Sequence, residues 1–149
     1  MRAVVQRARH ARVEVGGEVV GAISRGLVAF VGAGTDDDEK DVAYTVSKVI
    51  ALRVFPDAAG KMSLALPEVG GELLVVSQFT VFGDMRRGNR PSFDAALEPV
   101  AAERLYERFV AEARARGVTV ATGRFRADMR VFVENDGPVT ILVDSKKTF

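Results

Sequence analysis

The sequence contains no cysteine and only one histidine among its 149 residues. The missing thiols exclude disulfides, thiolate nucleophiles and cysteine-based metal sites, and they accord with a reducing compartment. With His10 as the only imidazole, a histidine-centred triad lacks support, and a zinc site lacks both thiolates and a second imidazole. His10 itself lies among arginines near the first strand, where a surface position is the simpler reading. No metal and no cofactor is expected. No apolar run approaches the roughly 20 residues that span a bilayer. No signal-peptide-like apolar segment follows Met1. A cytoplasmic protein with no membrane partner is the expectation.

What is present is a chain with 48% hydrophobic residues and a net charge of +1. That length and composition suit one compact domain over residues 1–149, and no linker-like, repetitive or low-complexity stretch divides it. The near-neutral balance gives no global field for nucleic acid, but the arginines are unevenly placed. Arg2, Arg7, Arg9 and Arg12 precede the first acid, Glu14, and Arg86, Arg87 and Arg90 crowd one glycine-containing loop. Either cluster could meet phosphates, and neither by itself establishes RNA binding.

Local patterning predicts short strands at Ala3 to Gln6, Arg12 to Val15, Val19 to Ile23 and Leu27 to Val31, with Gly16-Gly17 as a hairpin signal. The period then changes to helical, with Thr35 as N-cap and a helix ending near Arg53. A second helix starts at Pro99 and stops at Gly117. Its alternating glutamates and arginines describe a solvated outer face. Further strands are expected at Val118 to Thr122, Met129 to Glu134 and Val139 to Val143. Without a regular βαβ alternation, the fold class is α+β, with a largely antiparallel sheet or barrel-like β-structure and two main helices.

Gly32-Ala33-Gly34-Thr35 invites a phosphate-loop reading, but Asp36, Asp37 and Asp38 put negative charge where phosphate would sit. Those acids also lack the ligand spacing and turn glycine of an EF-hand. A solvated helix start accounts for them.

Two segments carry more. Leu73 to Phe82 reads as a strand closed by Gly83-Asp84, with Ser77, Gln78 and Thr80 set among apolar residues. If that strand is central, each polar side chain needs a partner, because an unpaired buried polar group costs about 1–3 kcal/mol. If it lies at an edge, they face solvent. The second segment is Asn135-Asp136-Gly137-Pro138-Val139-Thr140, which sets a Gly-Pro pair inside a strand-like run. Proline donates no ladder hydrogen bond and X-Pro is the peptide bond at which cis is accessible, so the interruption is a turn or a shaped recognition element.

Ser77-Gln78-Phe79-Thr80 together with Asn135-Asp136-Gly137-Pro138-Val139-Thr140 resembles the paired motif of the D-aminoacyl-tRNA deacylases. The opening Met1-Arg2-Ala3-Val4-Val5-Gln6-Arg7 and the segment Gly88-Asn89-Arg90-Pro91-Ser92-Phe93 extend the similarity over nearly the whole chain. Val81 departs from the family's usual leucine, a conservative change of apolar volume.

The resemblance implies a homodimeric ester hydrolase that releases D-amino acids from the aminoacyl-tRNA 3′ end, in chiral proofreading of translation. It implies that main-chain N–H groups of Phe79 and Thr80 stabilise the developing oxyanion, while Ser77 and Gln78 position the substrate. Thr80 as a hydroxyl nucleophile is less favoured, since no activating base is identifiable near it in sequence. The ribose 2′-hydroxyl of the terminal adenosine is the family's implied source of reactivity. Gly137-Pro138 is implied to be a cis pair reaching across the dimer, with carbonyls facing the substrate α-amino group, so that an L side chain collides. Exclusion of this kind gives broad D-amino-acid scope, and glycine, which has no side chain to reject, is expected to be cleaved as well. Phe125 and Met129 match positions near the family's pocket, and Arg7 matches one holding the Gly-Pro element.

Two other readings fit parts of the sequence. One is the editing domain of some archaeal threonyl-tRNA synthetases, which has the same fold class, although this chain has no synthetase portion and its Gly-Pro motif resembles the free-standing enzymes better. The other is a non-enzymatic nucleic-acid-binding module, which would use the basic loops and leave Ser77, Gln78 and Thr80 without a role.

Overall fold

The computed structural model describes residues 1–149. Eight strands and two α-helices follow in the order β1 (Arg2–Val15), β2 (Glu18–Ile23), β3 (Gly26–Gly32), α1 (Glu39–Ile50), β4 (Phe55–Pro56), β5 (Met62–Leu64), β6 (Glu72–Ser77), α2 (Pro99–Ala115), β7 (Val120–Thr122) and β8 (Arg130–Asp144). The fold is the expected α+β arrangement.

The two strands expected before Gly16 are one, β1. It pairs antiparallel with β2 and β3, and with β8. Irregularities between Gln6 and Ala8 and between Ala8 and Ala11 rotate its faces, which hid its continuity from a strict alternation test. Ala3 and Val5 therefore join the core beneath the helices, while Ala8, Ala11 and Val13 join a second core on the opposite face.

The sheet is mixed rather than only antiparallel. β3, β6 and β7 run parallel, through crossovers that contain α1 and α2. The sequence masks these connections because β4, β5 and two 3₁₀ turns interrupt the helix-strand rhythm. β6 is buried on both faces, with Leu73 and Val75 toward the helices and Leu74 and Val76 toward the second core. A continuous apolar run is what such a strand requires, and each fully buried Leu or Val contributes about 1.5–3 kcal/mol. The sheet curls until β2 meets β7, where a Cβ on Gly21 would lie 2.1 Å from the Thr122 carbonyl oxygen. Only glycine permits that approach.

The N-cap of α1 is Asp38, not Thr35. The Asp38 carboxylate accepts from Asp41 N–H at 3.3 Å and from Lys40 N–H at 2.8 Å, and Asp41 reciprocates by accepting from Asp38 N–H at 2.9 Å. This capping box gives the acidic run its structural purpose. α2 starts at Pro99 as expected, with Glu98 capping Val100 and Ala101 N–H groups, and Gly117 follows its end at φ +82°.

The expected strand to Phe82 stops at Ser77. Gln78 N–H donates to the Val31 carbonyl at 2.8 Å, and the chain then folds over the end of β3 into a 3₁₀ helix, Phe79–Phe82. Gly32 admits this crossing, since a Cβ there would lie 2.6 Å from the Gln78 carbonyl oxygen. The two strands expected around the Gly-Pro pair are likewise one, β8, paired along β1. Between Gln6↔Thr140 and Ala8↔Asn135, the single residue Arg7 faces Asp136 to Val139, which therefore stand out from the ladder.

Candidate functional site

β3 and β6 end, and β7 gives way to its following loop, around an open cavity of about 650 Å³, the position at which open parallel sheets receive ligands. Ser77, Gln78 and Phe79 form the edge contributed by β6. The turn after β7 contributes Phe125 and Met129, and α2 contributes Tyr106. Five of the nine residues expected at the site therefore meet in one cavity.

Ser77 and Gln78 are half-buried, whereas Phe79 and Thr80 are exposed, so the three polar side chains of the segment are not a buried set. Gln78 Nε2 donates to Thr80 Oγ1. No carboxylate or imidazole is bonded to Thr80, which lies beside the cavity rather than in its wall. Phe79 and Thr80 open the 3₁₀ helix, so their N–H groups have no carbonyl one turn earlier within it. Val81 N–H is the first to bond back, to Gln78 O at 3.4 Å. Phe79 makes an edge contact with Phe93, ring centroids 5.0 Å apart, and both line the cavity.

Tyr106 anchors the floor. Its hydroxyl donates to the Val75 carbonyl at 2.9 Å, and burial pushes its pKa up to about 12, so it stays neutral across the working range. Its ring packs on Phe125 with centroids 5.7 Å apart. Tyr106 carries no distinctive signal in the sequence because it lies on the apolar face of α2, where an aromatic looks like ordinary core. Phe93 carried a faint signal, as the end of the Gly88 to Phe93 segment. Two charged side chains reach the cavity, Glu98, whose carboxylate is engaged in capping α2, and Arg126, while the ammonium of Met1 is paired with Asp37.

Gly137, Pro138 and Arg7 are absent from this cavity. The Gly137–Pro138 peptide bond is cis and both residues are exposed. Arg7 underlies them. Its Nε donates to Asp136 O at 3.0 Å, its Nη1 donates to the Val54 carbonyl, and Nε also lies 3.3 Å from Asp136 Oδ2. Asn135 closes the protrusion, donating to Val139 O at 3.1 Å and accepting from Val139 N–H at 2.9 Å. Gly137 has φ +130°, and a Cβ there would lie 2.8 Å from Val139 Cγ2 and 3.0 Å from Arg7 Nη2. His10 is exposed and lies 2.7 Å from Glu134, as a surface pair.

A small α+β domain whose strand ends open onto a largely apolar cavity, beside a Ser-Gln-Phe-Thr edge, has a site suited to a partly apolar ligand. Residues 4–144 match the family model described as D-Tyr-tRNA(Tyr) deacylase, and the chain belongs to that family. It is an ester hydrolase of the aminoacyl-tRNA deacylase class. A D-aminoacyl-tRNA deacylase of Sorangium cellulosum (strain So ce56) is 74% identical over 150 residues, covering 100% of both chains. One from Symbiobacterium thermophilum is 56% identical over 149 residues, covering 100% of this chain and 99% of the relative. Among solved structures, one described as c-Myc DNA Unwinding Element Binding Protein superposes with a TM-score of 0.92 at 40% identity, over 97% of this chain and 98% of the other. A probable eukaryotic D-amino acid tRNA deacylase shares the fold with a TM-score of 0.84 at 18% identity, over 96% and 98%. No helix is long and apolar enough to cross a membrane.

Proposed function

We propose that this protein is a cytoplasmic homodimer that removes D-amino acids from tRNA. In the reaction, water adds to the ester carbonyl carbon, the bond to the ribose oxygen breaks, and that oxygen leaves with a proton. The products are free amino acid and tRNA. Main-chain N–H groups of Phe79 and Thr80 receive the developing oxyanion, Ser77 and Gln78 orient the ester, and Phe125 and Met129 hold the apolar parts of the substrate. The ribose 2′-hydroxyl of the terminal adenosine assists the attack. Support for that assignment comes from the site's composition, in which Tyr106 is neutral, Glu98 is engaged as a cap, and Thr80 lacks a base.

The observation that carries the proposal is the separation of the two motifs within one chain. Ser77, Gln78 and Phe79 line the cavity, and Gly137-Pro138 protrudes into solvent elsewhere. On β8 the protrusion is flanked by Phe132, Ile141 and Leu142, which are 38%, 36% and 56% exposed. Burial of this apolar strand against a second copy would bring each Gly-Pro element to its partner's cavity, where its carbonyls meet the α-amino group and the L side chain is excluded. Glycyl-tRNA, with no side chain to reject, is a further substrate.

The test is hydrolysis of matched D- and L-aminoacyl-tRNA, with the molecular mass in solution measured on the same sample. A dimer hydrolysing the D ester and sparing the L ester is expected. A monomer with undiminished D/L selectivity would remove the cross-subunit filter. The alternative of a nucleic-acid-binding module is favoured by the likeness to the 40% identical c-Myc DNA Unwinding Element Binding Protein, and it predicts hydrolysis of neither ester.

A further inference from the structure

Arg126 occupies a position at which its backbone and its side chain are both unusual. Its φ is +62°, one of two non-glycine residues of this chain in the left-handed region, where a Cβ crowds the following carbonyl. Such conformations persist only where the surroundings hold them, and they concentrate at ligand sites. Here the turn is held firmly. Ala127 N–H donates to Arg124 O at 3.2 Å, Arg124 N–H points to Met129 Sδ at 3.4 Å, and Phe125 packs on Tyr106.

The residue so presented lines the cavity and is exposed. The arginines that form ion pairs are Arg2, Arg7, Arg9, Arg12, Arg86 and Arg116. Arg126 is not among them, and its guanidinium has no partner within the chain. The other charged side chain of the cavity wall, Glu98, is committed to the N-terminus of α2, and the Met1 ammonium is paired with Asp37. The cavity thus offers one free cation on a fixed turn.

The charges of an aminoacyl-tRNA end decide what that cation can meet. The amino acid carries an ammonium, which an arginine repels, and the ester and adenine are neutral. The nearest anion is the phosphodiester that joins the terminal adenosine to the nucleotide before it. A guanidinium suits that group, since its planar fork donates to two phosphate oxygens at once. We infer that Arg126 is a substrate-positioning residue that binds the phosphodiester next to the terminal adenosine, an inference that rests on the RNA-ester reading above. A run of phosphates rather than a lone one fits the surroundings. Phe93, in the same cavity wall, follows Arg90 by three residues, within about 11 Å of chain. The loop that it closes, pinned by Asp84 and Ser92, also carries Arg87, exposed like Arg90.

The backbone supplies a clean test. Glycine adopts φ +62° without a Cβ penalty and asparagine tolerates it, so Arg126→Gly and Arg126→Asn remove the cation while keeping the turn. Each is compared with the unaltered protein on D-aminoacyl-tRNA and on the matching 3′-O-D-aminoacyl adenosine, which has the ester and ribose but no phosphodiester. The expected result is a loss of about tenfold in kcat/KM on the tRNA, the scale of one charge-assisted hydrogen-bonded contact, with less than a twofold change on the nucleoside ester. Arg126→Lys should recover part of the loss. The dependence of log kcat/KM on log salt should become shallower by about 0.7, as one single-strand phosphate contact disappears. Equal losses on both substrates, or no loss on the tRNA, would overturn the phosphate assignment while the deacylase reading stands. Inactivity of the unaltered protein on both esters would overturn that reading and this inference with it.

Discussion

Arg7 donates through Nε to the main-chain carbonyl of Asp136 at 3.0 Å, and the same guanidinium donates to the Val54 carbonyl. One side chain on β1 thereby ties the base of the β8 protrusion to the segment entering β4. A planar fork with several donors can hold two carbonyls in fixed directions, and a lysine ammonium on its flexible stem does so poorly.

Replacing Arg7 should therefore affect selectivity before it affects chemistry. Arg7→Ala leaves two carbonyls without their donor and should cost about 1–3 kcal/mol of folding stability. Hydrolysis of L-aminoacyl-tRNA should rise about tenfold relative to the D substrate, and Arg7→Lys should restore only part of the discrimination. A destabilised variant that retains the full D/L ratio would separate Arg7 from the proposed filter.

Thr80→Ala tests where the nucleophile comes from. The Thr80 hydroxyl accepts from Gln78 and has no base beside it, so removing it should leave deacylation within about tenfold of the starting rate, the scale of one lost hydrogen bond. Complete loss of turnover in a folded protein would restore threonine as the nucleophile.

A 2′-deoxy terminal adenosine probes the other side of the same question. Binding should persist, measured as inhibition of the normal substrate, while turnover stops. Unchanged hydrolysis would reject substrate assistance.

Tyr106→Phe removes the hydroxyl that donates to Val75 O at 2.9 Å, and should lower stability by about 1 kcal/mol. Because burial holds the Tyr106 pKa at about 12, the phenolate absorbance that this substitution removes should be the part that develops well above pH 10 in the folded protein. A loss of absorbance near pH 10 on Tyr106→Phe substitution, before unfolding, would contradict the buried placement.

Acid stability should depend on the capping box and its neighbours. Burial would raise the Asp41 pKa, but hydrogen bonds from Ser145, Asp38 N–H and Lys146 outweigh it and hold the carboxyl well below its ordinary range. Asp144 is likewise lowered, its burial outweighed by Thr148, the Lys146 main chain and Arg2. Both folded-state values lie below the unfolded ones, so the stability that they contribute is complete above about pH 4 and is lost as pH falls further. Asp41→Ala removes hydrogen bonds to Asp38 N–H and Lys146, should cost about 1–3 kcal/mol near neutrality, and should flatten the decline of denaturation midpoint below pH 4. An undiminished acid slope in that variant would assign the decline to other carboxylates.

Lys146 has the opposite sign. Its hydrogen bond to Asp41, at 2.9 Å, raises its pKa. That contribution holds below pH 10 and fades as pH rises through the raised value.

Much of this was legible in the chain itself. Absence of cysteine and scarcity of histidine narrowed the chemistry, the second helix was marked by Pro99 and Gly117, and the Ser77 to Thr80 segment named one edge of the cavity. These signals are local, set by dihedral preference, capping and side-chain chemistry, which need no distant neighbour. The tertiary structure decided the rest. That β6 ends at Ser77 depends on Gly32 admitting the Gln78 carbonyl from another strand. That Tyr106 and Phe125 share a floor with Ser77 depends on the crossovers that place α2 and β7 beside β6. That Gly137-Pro138 stands apart from the cavity depends on β8 pairing along the whole of β1. Each of these is a contact between segments far apart in the chain, fixed by close packing and register rather than by any residue's own preference.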